Sequence, residues 1–240
     1  MVVHQQNVKQ CVSERAILKP ERVSEQDIIA IIQVQRQKPD TGHAESGNHH
    51  NKNLISIYMD FVRQIDQVDS DLLWQSVETF ISHNLLWDYN QLSVTSFDGS
   101  NDWTCSAGKI ADLKYPQKAY SQCIEWFKDS PVEDVIKKYN KFYRWRIMKL
   151  DPSKTYSLHK DGDGSQNLNI RLHIPLKTNK QCFLSFFDNM NCDNAKFYKL
   201  QPNNVYELNT TGYHTAINFS AEPRWHLVGV KYENSNYWSQ

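Results

Sequence analysis

This sequence has no excess charge of either sign, no apolar run of membrane length and no paired cysteines. Lysine plus arginine and aspartate plus glutamate number 27 each, so no general field draws the chain to nucleic acid or to an anionic membrane surface. A bilayer-spanning helix needs about 20 consecutive, mainly apolar residues, and no stretch approaches that. The first residues lack the basic start and apolar core of a secretory signal peptide. The five cysteines (Cys11, Cys105, Cys123, Cys182 and Cys192) include no C-x-x-C pair, which removes a zinc ribbon or a disulfide framework from consideration. These absences set the expectation of a cytoplasmic protein with neither a nucleic-acid nor a membrane partner. No repeat period and no low-complexity tract is present.

What is present changes character along the chain. Residues 1–52 read as an N-terminal extension, partly flexible, with a short helix over 25–37 capped by Ser24. The polar loop at 39–52, with His43, His49 and His50, reads as solvated, since no carboxylate or cysteine stands at ligand spacing. Residues 53–240 read as a single domain with helical support over 53–141 and a β core over 142–232. Apolar residues every three or four positions predict helices over 53–67 and from Ser70, the second burying Leu73, Val77, Phe80 and Ile81. A strand is expected at 91–97, a turn at 98–102 and a helix at 115–128. Ser130, Pro131 and Glu133 carry a helix-start signal of cap, first-turn proline and capping-box acid.

From residue 142 onward, short β-branched and aromatic runs alternate with turn clusters. Strands are predicted at 143–150, 169–176, 182–187, 196–200, 205–208, 215–219 and 224–232. This density of short strands points to a sandwich or jelly roll, with the helices buttressing a sheet from outside.

One set of residues in this half carries chemistry. His159 and Asp161 are two apart and face the same side of an extended strand end. A later histidine, His214, can join them once the strands fold back. Two imidazoles and one carboxylate form the facial set that holds non-haem Fe(II) and leaves positions open for oxygen and substrate. Zinc is the competing metal, although its catalytic sites more often use three histidines or two with glutamate. Arg224 opens a strand ten residues after His214. On a strand neighbouring that of His214, it would reach the floor of the same cavity, where a buried guanidinium needs an anion. Arg171 and His173 share one face of another strand and could add donors to that anion. Equally, Arg171 could form a surface ion pair and His173 be a satisfied core histidine. His226 reads as an ordinary core histidine, because no partner spacing recommends it.

The set His159-x-Asp161, Arg171-x-His173-Ile174-Pro175-Leu176, Gly212-x-His214 and Arg224 resembles the aspartyl/asparaginyl β-hydroxylase and cis-proline hydroxylase family. The resemblance implies a double-stranded β-helix (jelly-roll, cupin-like) dioxygenase dependent on Fe(II) and 2-oxoglutarate. It implies His159, Asp161 and His214 as the metal ligands and catalytic centre, Arg224 on the distal carboxylate of 2-oxoglutarate, and His173 and Arg171 assisting at the cosubstrate. The implied reaction consumes O2 and hydroxylates an amino acid, or a residue in a peptide or protein, of prolyl or aspartyl/asparaginyl type. The aspartyl/asparaginyl branch typically carries glycine where this chain has Asp161, so the acid brings it nearer the proline-hydroxylase branch. The same acid argues against a halogenase, in which the carboxylate gives way to halide. The turn at 161–165 adjoins the metal and reads as a lid, as does the 39–52 loop. Two other readings are a cupin-like metal dioxygenase or isomerase that does not use 2-oxoglutarate, and a jelly-roll binding module without catalysis.

Overall fold

The computed structural model describes residues 60–162, 167–233 and 237–238, all but Asp60 in a compact unit that runs from Phe61 to Gln240. The 25–37 helix, the 39–52 loop and most of the 161–165 turn lie outside the described residues. Among the described residues no helix is long and apolar enough to cross a membrane.

The elements are β1 (Val62–Gln67), α1 (Ser70–His83), β2 (Gln91–Ser93), β3 (Thr95–Ser96), β4 (Gln122–Cys123), α2 (Pro131–Lys138), β5 (Tyr143–Leu150), β6 (Lys154–Thr155), β7 (Leu168–Lys177), β8 (Cys182–Phe187), β9 (Lys196–Tyr198), β10 (Asn204–Asn209), β11 (Tyr213–Asn218) and β12 (Arg224–Glu233). A six-stranded sheet runs β1-β10-β7-β12-β5-β2 and a four-stranded sheet β6-β11-β8-β9, and every pairing is antiparallel. Counting β5 to β12 as first to eighth, the sheets read sixth-third-eighth-first and second-seventh-fourth-fifth. That interleaving is the connectivity of a jelly roll, or double-stranded β-helix.

Period-two alternation explains which face each residue takes. On β7, Ile170, Leu172, Ile174 and Leu176 join the core that includes Leu73, Trp74, Val77 and Phe80 of α1 and Val132 and Ile136 of α2. Asn169, Arg171, His173 and Pro175 therefore face the other sheet. A second core, with Leu150, Leu184, Phe186, Tyr206, Leu208 and Ala216, fills the space between the sheets. The helices cover the outer face of the large sheet, and Ser70 Oγ ties α1 to it by donating to Pro175 O at 2.7 Å.

Both helix starts follow local chemistry. Asp69 caps α1 by accepting from Leu72 N, and Ser130 caps α2, with Pro131 in the first turn. Two other expectations are corrected. Within the helix predicted over 53–67, residues 62–67 form β1, which pairs with β10 through a bulge between Gln64 and Asp66. That bulge leaves Ile65, one of the residues that set the helical period, 40% exposed. No α-helix forms over 115–128, which holds two single 3-10 turns and β4. Its backbone is bonded to other strands instead. Ile124 N donates to Val94 O, and Tyr120 O accepts from Arg144 N and Thr95 Oγ1. These tertiary bonds replace the i→i−4 ladder. The expected strand at 91–97 is divided into β2 and β3, and β6 was not foreseen.

A buried ion cluster fastens the outer face. Glu207 accepts from Arg63 Nη2 at 2.7 Å, and Lys231 Nζ lies 3.0 Å from its other oxygen. Tyr237 Oη donates to the same carboxylate at 2.8 Å. Burial pushes the Glu207 carboxyl up, but the bonds from Arg63, Lys231 and Tyr237 outweigh it and hold the pKa below the usual range. A depressed folded pKa contributes stability that is complete above the unfolded value and is lost as pH falls through the folded one. Glu207→Gln should therefore cost about 3 kcal/mol at neutral pH, and its deficit should shrink in acid. Urea melts of both proteins at about pH 7 and about pH 3 check this; equal deficits at both would contradict it.

Candidate metal centre

Three elements bring the metal set together. His159 follows β6 and forms an isolated bridge with His214 of β11. His159 N donates to His214 O at 3.1 Å and His214 N returns a bond to His159 O at 2.9 Å. Asp161, two residues on, is fixed at the β10–β11 turn by its N–H donating to Thr210 O at 3.0 Å. The ligand atoms of His159, Asp161 and His214 all lie within 4.8 Å of one another. His159 Nε2 and His214 Nε2 each stand 3.7 Å from an Asp161 oxygen.

The ring orientations suit metal binding. His159 Nδ1 lies 2.7 Å from Ser157 O and His214 Nδ1 2.9 Å from Gly212 O. A carbonyl can only accept, so both rings carry a proton on Nδ1 and turn Nε2 toward Asp161. Burial pushes the His214 pKa down to about 4, against the raising effect of Asp161, so its ring is neutral at physiological pH. His214 stacks on Phe186, and Phe186 on Phe61 with centroids 4.7 Å apart. Gly212 lets Phe61 in: a Cβ there would stand 3.0 Å from Phe61 Cε1.

Arg171 joins this centre directly. Its Nε donates to Asp161 Oδ2 at 2.8 Å with the side chain 6% exposed, which rules out a surface ion pair. Burial pushes the Asp161 carboxyl up, yet Arg171, His214 and His159 more than reverse that and hold it well below the usual carboxylate range. Asp161 is thus an anion oriented by a charged neighbour. Removing such an outer partner typically costs about 10–100-fold in metal affinity. Arg171→Gln should show that loss in calorimetric Mn(II) binding, and an unchanged affinity would mean that Asp161 needs no anchor.

The condition that would have put His214 and Arg224 on neighbouring strands is not met. β11 belongs to the small sheet and β12 to the large one, so they approach from opposite walls. Arg224 is 4% exposed and donates from Nε to His226 Nε2 at 3.1 Å. His226 Nδ1 in turn lies 3.2 Å from His173 Nδ1. His226 is thus a buried, hydrogen-bonded core histidine, as expected, and His173 is placed beside it.

The sequence reading missed two further arginines on the same face. Arg144 gives its donors to Ser106 O, Gln117 Oε1 and Gly108 O. Arg146 bonds Gln91 Oε1 at 2.9 Å. Burial pushes the Arg144 pKa down to about 10, with Arg171 adding to the effect. The available signal was the alternation in β5, where Arg144 and Arg146 interleave with Trp145 and Ile147. Among the described residues three buried nitrogens on this face have no hydrogen-bond partner: Arg146 Nε, Asn169 Nδ2 and Arg171 Nη1. Two imidazoles with one carboxylate fit a divalent transition metal, and unpaired guanidinium nitrogens beside them fit an anion.

A family model described as Aspartyl/Asparaginyl beta-hydroxylase matches residues 87–230. No curated protein matches the chain. Among solved structures, an oxidoreductase of the 2OG-Fe(II) oxygenase family from Burkholderia pseudomallei is 13% identical, over 37% of this chain and 43% of that one, with a TM-score of 0.32. The non-haem alpha-ketoglutarate-dependent carbocyclase SnoK from nogalamycin biosynthesis is 14% identical over 38% and 50%, with a TM-score of 0.31. The non-haem monooxygenase ThoJ, in its nickel complex, is 12% identical over 73% and 74%, with a TM-score of 0.43. The chain thus spans half or less of the first two proteins.

Proposed function

We propose that this chain, which belongs to the aspartyl/asparaginyl β-hydroxylase family, is an Fe(II)- and 2-oxoglutarate-dependent dioxygenase that hydroxylates an amino acid or a residue within a peptide or protein. One observation carries the reading: three convergent metal-ligand atoms stand beside a buried arginine, Arg171, that is bonded to Asp161 and whose Nη1 has no partner among the described residues.

In this reading His159, Asp161 and His214 hold Fe(II). Arg224 binds the distal carboxylate of 2-oxoglutarate, and His173 adds a hydrogen bond at the cosubstrate. Arg171 orients Asp161 through its 2.8 Å contact and offers its free Nη1 to an anion. Fe(II) with 2-oxoglutarate and O2 supplies the oxidising equivalents for hydroxylating a C–H bond, with succinate and CO2 as co-products. The chain contributes binding and orientation, with Phe186 stacked on His214 as an apolar surface beside the ligand set. The family and the donor set support this assignment, and its prolyl or aspartyl/asparaginyl branch is set by the substrate.

Succinate release from 2-oxoglutarate, measured across free amino acids and short peptides rich in proline, aspartate or asparagine, tests the proposal. Turnover that requires Fe(II), 2-oxoglutarate and one of these substrates is expected. Turnover of a substrate with metal but without 2-oxoglutarate would replace the proposal with the cupin-type alternative.

A further inference from the structure

We propose that Arg146 seats a carboxylate of the substrate, so that this chain acts on a carboxylic acid: a free amino acid or an acidic side chain, and not an uncharged residue in mid-peptide. The inference rests on the reading above in assigning the two carboxylates of 2-oxoglutarate to the metal and to Arg224.

Alternation along β5 sets the direction of Arg146. Trp145 and Ile147 join the core under the helices, so Arg146 between them faces the small sheet. It registers with Val228 of β12, which registers on its other side with His173 of β7. Cross-strand partners share a face. Arg146 and His173 therefore flank Val228 on the face that carries Arg171.

Arg146 is a cation without a counter-ion. It is 5% exposed. Its Nη1 donates to the neutral Gln91 Oε1 at 2.9 Å, and its Nε is buried with no partner among the described residues. Burial pushes its pKa down and Arg144 and Arg171 add to that, while Asp161 and Tyr156 oppose the shift too weakly to cancel it. An arginine in a protein nonetheless keeps its proton, so the charge is costly until an anion meets it. Other buried charges of the chain are already answered. Arg171 has Asp161 at 2.8 Å and Lys231 has Glu207 at 3.0 Å. Each nitrogen of Arg144 donates to an oxygen.

Charge balance then points to the substrate. On the inner face Arg144, Arg146, Arg171 and Arg224 meet one carboxylate among the described residues, that of Asp161. Loading leaves this surplus as it is, because the positive charge of Fe(II) and the negative charge of 2-oxoglutarate cancel. With one cosubstrate carboxylate at the metal and the other at Arg224, none is left for Arg146. O2 is neutral, so the substrate is the remaining reactant able to bring an anion. A guanidinium takes a carboxylate through two parallel bonds. The Nε–Nη2 edge of Arg146, which donates to none of the described residues, is such an edge.

Formate, the smallest carboxylate, is the probe. The unfolding temperature of the chain saturated with Mn(II) and 2-oxoglutarate should rise saturably with formate at constant ionic strength. Arg146→Gln should weaken formate at least about tenfold, the scale of one hydrogen bond to a charged group, with 2-oxoglutarate affinity changed by less than about threefold. Arg146→Lys keeps the charge but not the fork and should retain part of the response. No response in the wild-type chain, or an equal one in Arg146→Gln, would overturn the proposal. So would a response that 2-oxoglutarate abolishes, since the seat would then be the cosubstrate's. Turnover gives a second readout: any substrate found should carry a carboxylate, and conversion of that carboxylate to its amide should slow turnover at least about tenfold. Equal turnover of an acid and its amide would overturn the proposal. An Arg146-dependent formate response in a chain that binds no 2-oxoglutarate would support the seat and overturn the cosubstrate reading, so the two failures are distinct.

Discussion

Asp161→Ala is expected to lower Fe(II) affinity by more than the roughly 100-fold that loss of an outer partner costs, because it removes a ligand atom itself. Two imidazoles then remain, and neither brings the negative charge that Asp161 places 2.8 Å from Arg171. The same substitution leaves Arg171 buried and uncompensated, a destabilisation of about 3–5 kcal/mol. Asp161→Asn separates the two effects. Its carbonyl oxygen can still accept from Arg171 Nε, so the fold should survive while metal affinity collapses. Anaerobic Fe(II) titration beside a thermal melt checks both variants. Near-native affinity in Asp161→Asn would show that the carboxylate charge is not what holds the metal.

The next largest effect is expected at Arg224. The guanidinium lies inside the jelly roll at the start of β12, and burial depresses its pKa, so its charge there is costly until an anion arrives. Arg224→Ala should weaken 2-oxoglutarate by about 2–5 kcal/mol, roughly 30-fold to several-thousand-fold. Fe(II) affinity should change by less than about threefold, since Arg224 bonds to His226 and to none of the metal ligands. Equilibrium titration of each ligand alone reads the two affinities. An equal loss of both would contradict this division between the walls.

The β core was largely legible because its strands alternate. β5, β7, β8 and β12 fall within a residue or two of the runs that predicted them, since each packs a large apolar set against one partner layer. Where tertiary bonds compete with local pattern, the pattern misleads. The 115–128 segment has helical spacing, but Arg144, Thr95 and Val94 claim its backbone. β1 has helical spacing too, but the unpaired edge of β10 takes it into the sheet.

The convergence of His159, Asp161 and His214 was legible because the first two are close in sequence and His214 follows a glycine turn. The basic inner face of the large sheet was only half legible. Arg224 stood out as an inward charge and Arg171 as a candidate for one, whereas Arg144 and Arg146 carried no motif and show their burial only in the folded sheet. A shared pattern appears only when strands are compared: Arg144 and Arg146, Arg171 and His173, and Arg224 and His226 are cationic or imidazole pairs two residues apart on β5, β7 and β12. Those strands are neighbours in the large sheet, so three unremarkable pairs become one basic wall.

The most direct test of the central claim is an anaerobic titration of the metal-free chain with Fe(II) and then 2-oxoglutarate, followed in the visible range. If His159, Asp161 and His214 hold the metal and the basic wall holds the cosubstrate, a metal-to-ligand charge-transfer band should grow to saturation and be absent in His214→Ala. Saturation with Fe(II) and no band at any 2-oxoglutarate concentration would contradict the account.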